Sequence, residues 1–317
     1  LPPPREIAEW TQTGGGPSHN SGHLAGPSTL TEAWRADAGE GGSDDGLITG
    51  APVVSGGRIF TLDAAAGLAA FDARTGEALW ESSLVPDENE DGEEGFGGGL
   101  ATDGSRLFAT TGFGEVLAID PANGEIVWRT AVGAPFRAAP AVGDGLVVAV
   151  TRASLALALD ARTGQTVWRV QGVAADAGLL GGASPALAAG GAILPFPSGE
   201  LVAVEAGTGR RFWGAVITGG RRGLARAAIT DLTGDPVVVG PLVIAANQSG
   251  RTVALDGRNG QRVWTRTVGA TRPIWAAGDT LFLISDTAEA LRLDARSGET
   301  LWRRVLPAFE DEEDRED

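Results

Sequence analysis

One spacing recurs six times along this chain and constrains its fold more than any other feature. Each copy has an acidic residue, a glycine four residues later and a tryptophan four residues after the glycine. A seventh tryptophan, Trp34, fits the end of the pattern but has no acidic residue or glycine before it at that spacing. Repeats at a fixed period indicate an architecture in which one small unit is used many times. The copies are Asp72-Gly76-Trp80, Asp120-Gly124-Trp128, Asp160-Gly164-Trp168, Glu205-Gly209-Trp213, Asp256-Gly260-Trp264 and Asp294-Gly298-Trp302.

The residues around each copy predict a β-hairpin. Before the acidic residue, apolar residues alternate with a period of two, as in a half-buried strand, and alanine lies between them in five copies. Arg292 replaces that alanine in the sixth copy. The glycine supplies the positive φ of a tight turn, and the acidic side chain is expected to accept backbone N–H groups across it. The recurring carboxylates are therefore predicted to form turns rather than to catalyse a reaction.

Two further strands are predicted upstream of each hairpin. A proline lies 20 residues before the acidic residue in four copies and 21 before it in the sixth, and Leu100 replaces it in the second. Proline is tolerated as the first residue of a strand. Each unit is thus a four-stranded antiparallel meander of about forty residues, and such units stack radially in a β-propeller. The predicted fold is all-β, with six complete blades and a lone N-terminal strand at Trp34.

Composition excludes several functions. The net charge of −16 argues against a nucleic-acid partner, which requires a clustered positive face. No apolar run reaches the roughly 20 residues of a bilayer span, so no direct membrane span is expected. The absence of cysteine excludes disulfides, thiolate metal sites and cysteine nucleophiles. We predict no metal site and no cofactor.

Three other features contain residue types that can bind metal ions. The acidic blocks 87–94 and 310–317 lack the ligand spacing of a calcium loop and are interpreted as solvated segments. His19 and His23 lie four apart in a glycine-rich segment that disfavours the helix a zinc pair would need. We expect this segment to pack over one end of the ring.

The repeat resembles that of quinoprotein (PQQ) dehydrogenase propellers and of the outer-membrane assembly lipoprotein family BamB. The resemblance covers roughly residues 28 to 307, and residues 10–19 also look like the N-terminal lead-in of BamB-like proteins. It implies an eight-bladed ring and an exported protein anchored by a lipidated cysteine, which would have preceded Leu1. We divide the chain into a lead-in (1–27), a propeller (28–307) and an acidic tail or interblade loop (308–317).

Ring closure leaves two alternatives. Propellers commonly close by letting one terminus complete a blade begun by the other, which hides exposed sheet edges. Only residues 303–317, which end in the acidic block 310–317, follow the last repeat, so the given sequence does not supply the three strands expected to complete the Trp34 blade. Either the ring continues beyond Asp317, which we favour, or it is open or six-bladed and the Trp34 strand docks elsewhere.

Length variation indicates a binding face. The gaps from each tryptophan to the next blade's start are 18, 20, 12, 17, 23 and 9 residues, whereas the interval from that start to the tryptophan is 28 or 29. Variation confined to connections on one face is typical of a binding surface. The resemblance implies a non-enzymatic periplasmic scaffold that binds the POTRA domains of BamA in the outer-membrane assembly complex. The alternatives are a PQQ-dependent dehydrogenase-like enzyme and a generic cell-envelope sensor or scaffold.

Two connections that flank the fourth blade, 172–184 and 218–235, combine length with apolar and basic residues. Exposed leucines rimmed by arginines are common at protein-binding hot spots. The resemblance implies an apolar-Arg stretch before one blade and an Asp-x-Asp stretch before the next. Leu179 fits the apolar position and Asp231 the first acid, whereas Leu180 and Thr233 depart from the pattern. The predicted partner-binding residues are Leu179, Leu180, Arg221, Arg222, Leu224, Arg226 and Asp231.

Overall fold

Six consecutive four-stranded antiparallel sheets make up the part of the chain that the structure describes. The computed structural model describes residues 1–42, 47–87, 97–175, 181–217, 231–232, 234–270 and 272–307. In every sheet the four strands are neighbours in chain order, so each blade is a simple meander. Within these ranges the only helix is a 3-10 turn at Thr13–Gly15. None of the described helices is long and apolar enough to cross a bilayer.

The strands of each blade run in chain order from the inner to the outer strand. Blade one has β1 (Val53–Ser55), β2 (Arg58–Leu62), β3 (Gly67–Asp72) and β4 (Ala78–Ser83). Blade two has β5 (Gly98–Thr102), β6 (Leu107–Thr111), β7 (Glu115–Ile119) and β8 (Ile126–Ala131). Blade three has β9 (Ala141–Gly143), β10 (Leu146–Val150), β11 (Leu155–Asp160) and β12 (Thr166–Gln171).

The second half of the chain repeats this plan. Blade four has β13 (Ala186–Ala188), β14 (Gly191–Pro195), β15 (Glu200–Glu205) and β16 (Arg211–Val216). Blade five has β17 (Val237–Val239), β18 (Leu242–Asn247), β19 (Arg251–Asp256) and β20 (Arg262–Arg266). Blade six has β21 (Trp275–Ala277), β22 (Thr280–Ile284), β23 (Glu289–Asp294) and β24 (Thr300–Val305).

Four of the prolines immediately precede an inner strand, one residue before the predicted position at its start. Proline lacks the N–H that a ladder needs, so the strand begins at the next residue. Blade two shows the converse. With Leu100 in place of proline, β5 extends back to Gly98, which pairs with Thr111.

The acidic residues of the repeat form the predicted turns. In the first hairpin, Oδ1 of Asp72 accepts the backbone N–H groups of Arg74 and Thr75 at 3.0 and 2.8 Å. The hydrogen bond from the Thr75 backbone is the main cause that lowers the pKa of Asp72. In the fifth blade, the hydrogen bond from the Arg258 side chain lowers the pKa of Asp256 to about 2. Both carboxylates are therefore held in the ionised form that the turn requires.

Six of the seven repeat tryptophans, all but Trp302, pack on the next hairpin along the chain. The glycine of that hairpin has a φ between +68° and +77°, and a Cβ there would lie 2.5–2.9 Å from the preceding tryptophan. Only glycine fits both constraints. The indole N–H donates to the carbonyl of the residue after the acidic one. The pairs are Trp34–Ala73, Trp80–Pro121, Trp128–Ala161, Trp168–Ala206, Trp213–Gly257 and Trp264–Ala295.

The apolar cores lie between the blades. Five clusters of buried residues occupy the five junctions between consecutive blades, and each combines side chains from two neighbouring sheets. The alanine between the alternating apolar residues faces the next blade and is at most 2% exposed in blades one to five. Its small side chain permits the close approach that the sequence indicates.

A β-bulge, which the sequence did not predict, recurs in all six blades. The register between the third and fourth strands shifts directly after the position of this alanine. The extra residue precedes the tryptophan and is apolar in every blade, with an exposed fraction of 44–49%. A bulge turns the outer strand and leaves one residue unpaired. These residues are Leu79, Val127, Val167, Phe212, Val263 and Leu301.

The segment around Trp34 departs from the predicted lone strand in one respect. In the described part of the chain no strand is assigned there, because strand assignment requires a hydrogen-bonded neighbour and none of the six sheets includes this segment. The ring of Trp34 nevertheless packs on Gly76, as the other repeat tryptophans pack on their glycines.

Candidate partner-binding face

Most of the predicted contact residues fall outside the described ranges. Leu179 and Leu180 lie in the stretch 176–180, and Arg221, Arg222, Leu224 and Arg226 lie in 218–230. The acidic blocks, apart from Asp87, also lie outside these ranges. The structure therefore describes the frame of the two connections and one predicted contact residue, Asp231.

Asp231 is buried rather than presented to solvent. Its side chain is 2% exposed, and its Oδ2 accepts a hydrogen bond from Nη2 of Arg137 at 3.2 Å. Arg137 lies in the connection before blade three, so the ion pair joins that connection to the one before blade five. Burial lowers the pKa of the Arg137 guanidinium, and the charge of Asp231 opposes that shift. Removing one partner of a buried pair leaves an uncompensated charge, which typically costs about 3–5 kcal/mol.

A second buried contact ties the connections before blades four and five. The backbone N–H of Ser184 donates to Oδ1 of Asp235 at 2.6 Å. Burial raises the pKa of Asp235, whereas the nearby His19 and the hydrogen bonds from Ser184 act to lower it. His19 is 4% exposed, and its Nδ1 lies 2.9 Å from the carbonyl oxygen of Pro236. The expectation that this segment packs over one end of the ring is confirmed.

The connections surround an axial cavity of about 550 Å³. Its wall includes Ala51, Ala139 and Ser184, which immediately precede the inner prolines of three blades. The residues at the same position in blades five and six, Asp235 and Arg272, are charged. Thr13 also contributes to the wall. The cavity thus opens among the connections and combines small residues on one side with opposite charges on the other.

The described residues contain no group of three or more side chains suited to hold a metal ion. The recurring carboxylates accept hydrogen bonds within their own turns, so their role is to stabilise the hairpins. Asp235 has a raised pKa, which is common at catalytic sites. Here the raised pKa is explained by the burial of Asp235 among the packed connections.

The family model for "Outer membrane protein assembly factor BamB" matches residues 23–91 and 65–304. This chain belongs to that family. The BamB of Shewanella oneidensis is 28% identical over 263 residues, which cover 80% of this chain and 65% of the relative. The BamB of Bordetella pertussis is 29% identical over 248 residues, which cover 78% of this chain and 58% of the relative. The chain thus spans less than two thirds of the length of these curated relatives.

Solved structures agree with the propeller fold. The BamB structure from Moraxella catarrhalis superimposes with a TM-score of 0.66 at 20% identity, covering 87% of this chain and 78% of that chain. A quinohemoprotein alcohol dehydrogenase from Pseudomonas putida superimposes with a TM-score of 0.56 at 16% identity, covering 95% and 72%. Likeness at these identities concerns the fold alone. The predicted all-β propeller and the predicted family are confirmed.

Sequence reasoning placed Asp231 among the contact residues but missed its partner, Arg137, and the buried contact of Asp235 with Ser184. Arg137 and Asp231 are 94 residues apart and lie in connections of different blades. Arg137 sits in one of the shorter connections, so length variation did not point to it. The one available signal was the aspartate that precedes the proline of blade five, where the other blades have alanine, glycine, serine or arginine.

Proposed function

We propose that this chain is a non-enzymatic scaffold at the periplasmic side of the outer membrane. In this proposal it binds the POTRA domains of BamA and serves the assembly of β-barrel proteins. The observation that carries the proposal is the family match, which extends over nearly all six blades. The frame supports it, because a rigid set of repeated blades with variable connections on one face suits a protein that holds partners.

The proposed contact surface consists of the connections 172–184 and 218–235, with Leu179, Leu180, Arg221, Arg222, Leu224, Arg226 and Asp231 as its residues. In the structure, the carboxylate of Asp231 is already bonded to Arg137. A partner that reaches Asp231 would therefore meet an ion pair, and the leucines and other arginines would make the first contacts. We propose that the contact of Ser184 with Asp235 holds the two connections together, and that the Arg137–Asp231 pair fixes the second of them in the arrangement that the partner recognises.

The test is capture of BamA from a gently solubilised envelope. Leu180→Asp together with Arg222→Glu places acids at an apolar and a basic contact position without touching the buried pair. Truncation of a hot-spot residue costs on the order of 2 kcal/mol or more, so capture should fall at least about tenfold. The control is Leu79→Asp, which changes an equally apolar but rim-facing residue that is 44% exposed.

Two outcomes would contradict different parts of the proposal. Undiminished capture by the double variant would remove the assignment of this face. Failure of the parent chain to capture BamA at all would favour the generic envelope sensor or scaffold. The dehydrogenase alternative has only the fold likeness in its favour. Dye reduction with stoichiometric quinone and calcium would support that enzyme.

A further inference from the structure

The N-terminal segment Trp10–Gly22 contacts the inner strand of each of the six blades. We call the region enclosed by these inner strands the hub. In each blade the contact falls at the same position, two residues after the predicted start of the blade. Those positions are Val54, Thr102, Val142, Leu187, Val238 and Trp275. A segment that meets six equivalent positions occupies a site that the repeat itself creates.

The contacts are hydrogen bonds donated by the blades to carbonyl groups of the segment. In five blades the donor is the backbone N–H, and in blade six it is the indole N–H of Trp275. The order of acceptors along the segment follows the order of the blades. The pairs are Val54–Trp10 at 2.8 Å, Thr102–Thr11 at 2.8 Å, Val142–Gln12 at 2.9 Å, Leu187–Pro17 at 2.7 Å, Val238–Ser18 at 3.0 Å and Trp275–Gly22 at 2.9 Å.

Gln12 takes the place of a backbone group at blade three. Its Oε1 accepts the N–H of Val142, and its Nε2 donates to the carbonyl of the same residue at 2.6 Å. The side-chain amide thus pairs with Val142 as a neighbouring strand would, and it is 2% exposed. A carboxylate at this position could accept but could not donate, and the carbonyl of Val142 would lose its partner.

Trp10 links the first blade to the last. Its backbone forms an antiparallel bridge with Val54, and its ring stacks on Trp275 with centroids 5.9 Å apart and planes inclined by 19°. Aromatic pairs in this range are worth about 0.5–1.5 kcal/mol beyond the area they bury. The segment therefore connects the two blades that have no shared apolar cluster in the described part of the chain.

We propose that the hub is a peptide-binding site and that residues 10–22 are its built-in ligand. The ligand class is a glycine-rich peptide whose carbonyl groups accept one hydrogen bond from each blade. Binding of this peptide links the inner strands of blades one and six, between which the described residues form no shared apolar cluster. The proposal is independent of BamA, because the hub contacts lie within the chain.

The test cuts the chain between the segment and the blades, so that only non-covalent contacts keep the segment in place. Residues 25–33 are exposed and belong to no strand, so a protease recognition sequence between Gly26 and Pro27 allows the purified chain to be cut there. Gel filtration then measures how fast the N-terminal fragment is released. The urea concentration is the one that releases half of the parent fragment in one hour. The compared chains are the parent, Gln12→Glu and the control Gln165→Glu, which changes an exposed glutamine outside the hub.

We expect the fragment to stay with the blades in buffer for the parent and the control. Under the urea condition it should leave the Gln12→Glu chain at least tenfold faster. A synthetic peptide of residues 10–23 should slow the loss of folded blades after release, and its Gln12→Glu version should not. Equal release rates in all three chains would overturn the proposal. So would release of the parent fragment in buffer with an unchanged melting temperature of the blades.

Discussion

Corresponding rows of three cross-strand residues lie at the junction between blades five and six and on the far face of blade six, which we call the uncovered face because no other blade of the described part of the chain packs on it. At the junction, Ala254 pairs across the strands with Ile244 and Trp264. Trp264 is 8% exposed and packs on the hairpin of blade six. On the uncovered face the corresponding tryptophan, Trp302, is 43% exposed. The same strand pattern therefore buries its tryptophan only where a neighbouring blade supplies a glycine turn.

Arg292 marks the difference between the two faces. It occupies the position of Ala254, and its guanidinium lies over the ring of Phe282 at 5.9 Å from the centroid. Its Nη2 donates to Oγ1 of Thr280 at 3.4 Å. In the described part of the chain, the Nε of Arg292 is buried with no hydrogen-bond partner. An arginine fits here because no described blade approaches as closely as blade six approaches Ala254.

Exchange of these two residues tests the comparison most severely. Ala254→Arg places a charge and a long side chain in a site with no exposure. We expect the free energy of unfolding to fall by at least about 4 kcal/mol, from the uncompensated charge and from overpacking. Arg292→Ala should change it by no more than about 0.5 kcal/mol. Urea unfolding with matched m-values measures both, and a similar loss for the two variants would show that the faces are equivalent.

The next largest change in the free energy of unfolding is expected when the two tryptophans are replaced by alanine. Trp264→Ala removes a buried ring and its hydrogen bond to Ala295, and we expect a loss of about 3–5 kcal/mol. Trp302→Ala removes a side chain that is 43% exposed and whose ring is tilted against Phe282, and should cost about 1 kcal/mol. Chemical unfolding should be monitored by circular dichroism, because the loss of a tryptophan changes the fluorescence signal itself. A costly Trp302→Ala would indicate that the ring is covered in solution.

Replacement of the hairpin glycine separates backbone strain from the blade contact. Gly298→Ala forces a positive φ of 68° and places a methyl group 2.6 Å from the ring of Trp264. The control Gly145→Ala has a similar φ of 75° but meets open space. We expect about 1 kcal/mol for the control and at least about 2 kcal/mol for Gly298→Ala. Equal losses would mean that the tryptophan moves aside without cost.

The smallest expected effect is the loss of stability at acid pH. It should be present in both blade five and blade six. The pKa values of Asp256 and Asp294 are lowered in the folded chain, that of Asp256 from 3.8 to about 2. The unfolded chain binds more protons, so this stabilisation is present above about pH 4 and is lost as the pH falls towards 2. Asp256→Asn and Asp294→Asn should each reduce the drop in melting temperature between pH 4 and pH 2. A response in only one blade would show that hairpin chemistry depends on the covering blade.

The local unit of this fold could be predicted from the sequence because its determinants are close together. The acidic residue, the glycine and the tryptophan act within nine positions, and their spacing specifies the hairpin, the turn conformation and the strand alternation. Arg292 was also visible as the exception to the alanine position. Repetition of one unit then predicted the propeller, since identical units that each need a covering neighbour stack radially.

Tertiary structure alone decided which residues meet across the hub and between connections. Nothing near Gln12 in the chain indicates that its amide pairs with Val142, 130 residues away. Asp231 fits a contact pattern in sequence, yet the approach of Arg137 from another blade buries it. Such contacts have no period and no local spacing, because their partners are brought together only after the blades have stacked. The sequence determines each blade, whereas the packing of the blades determines which polar groups are covered.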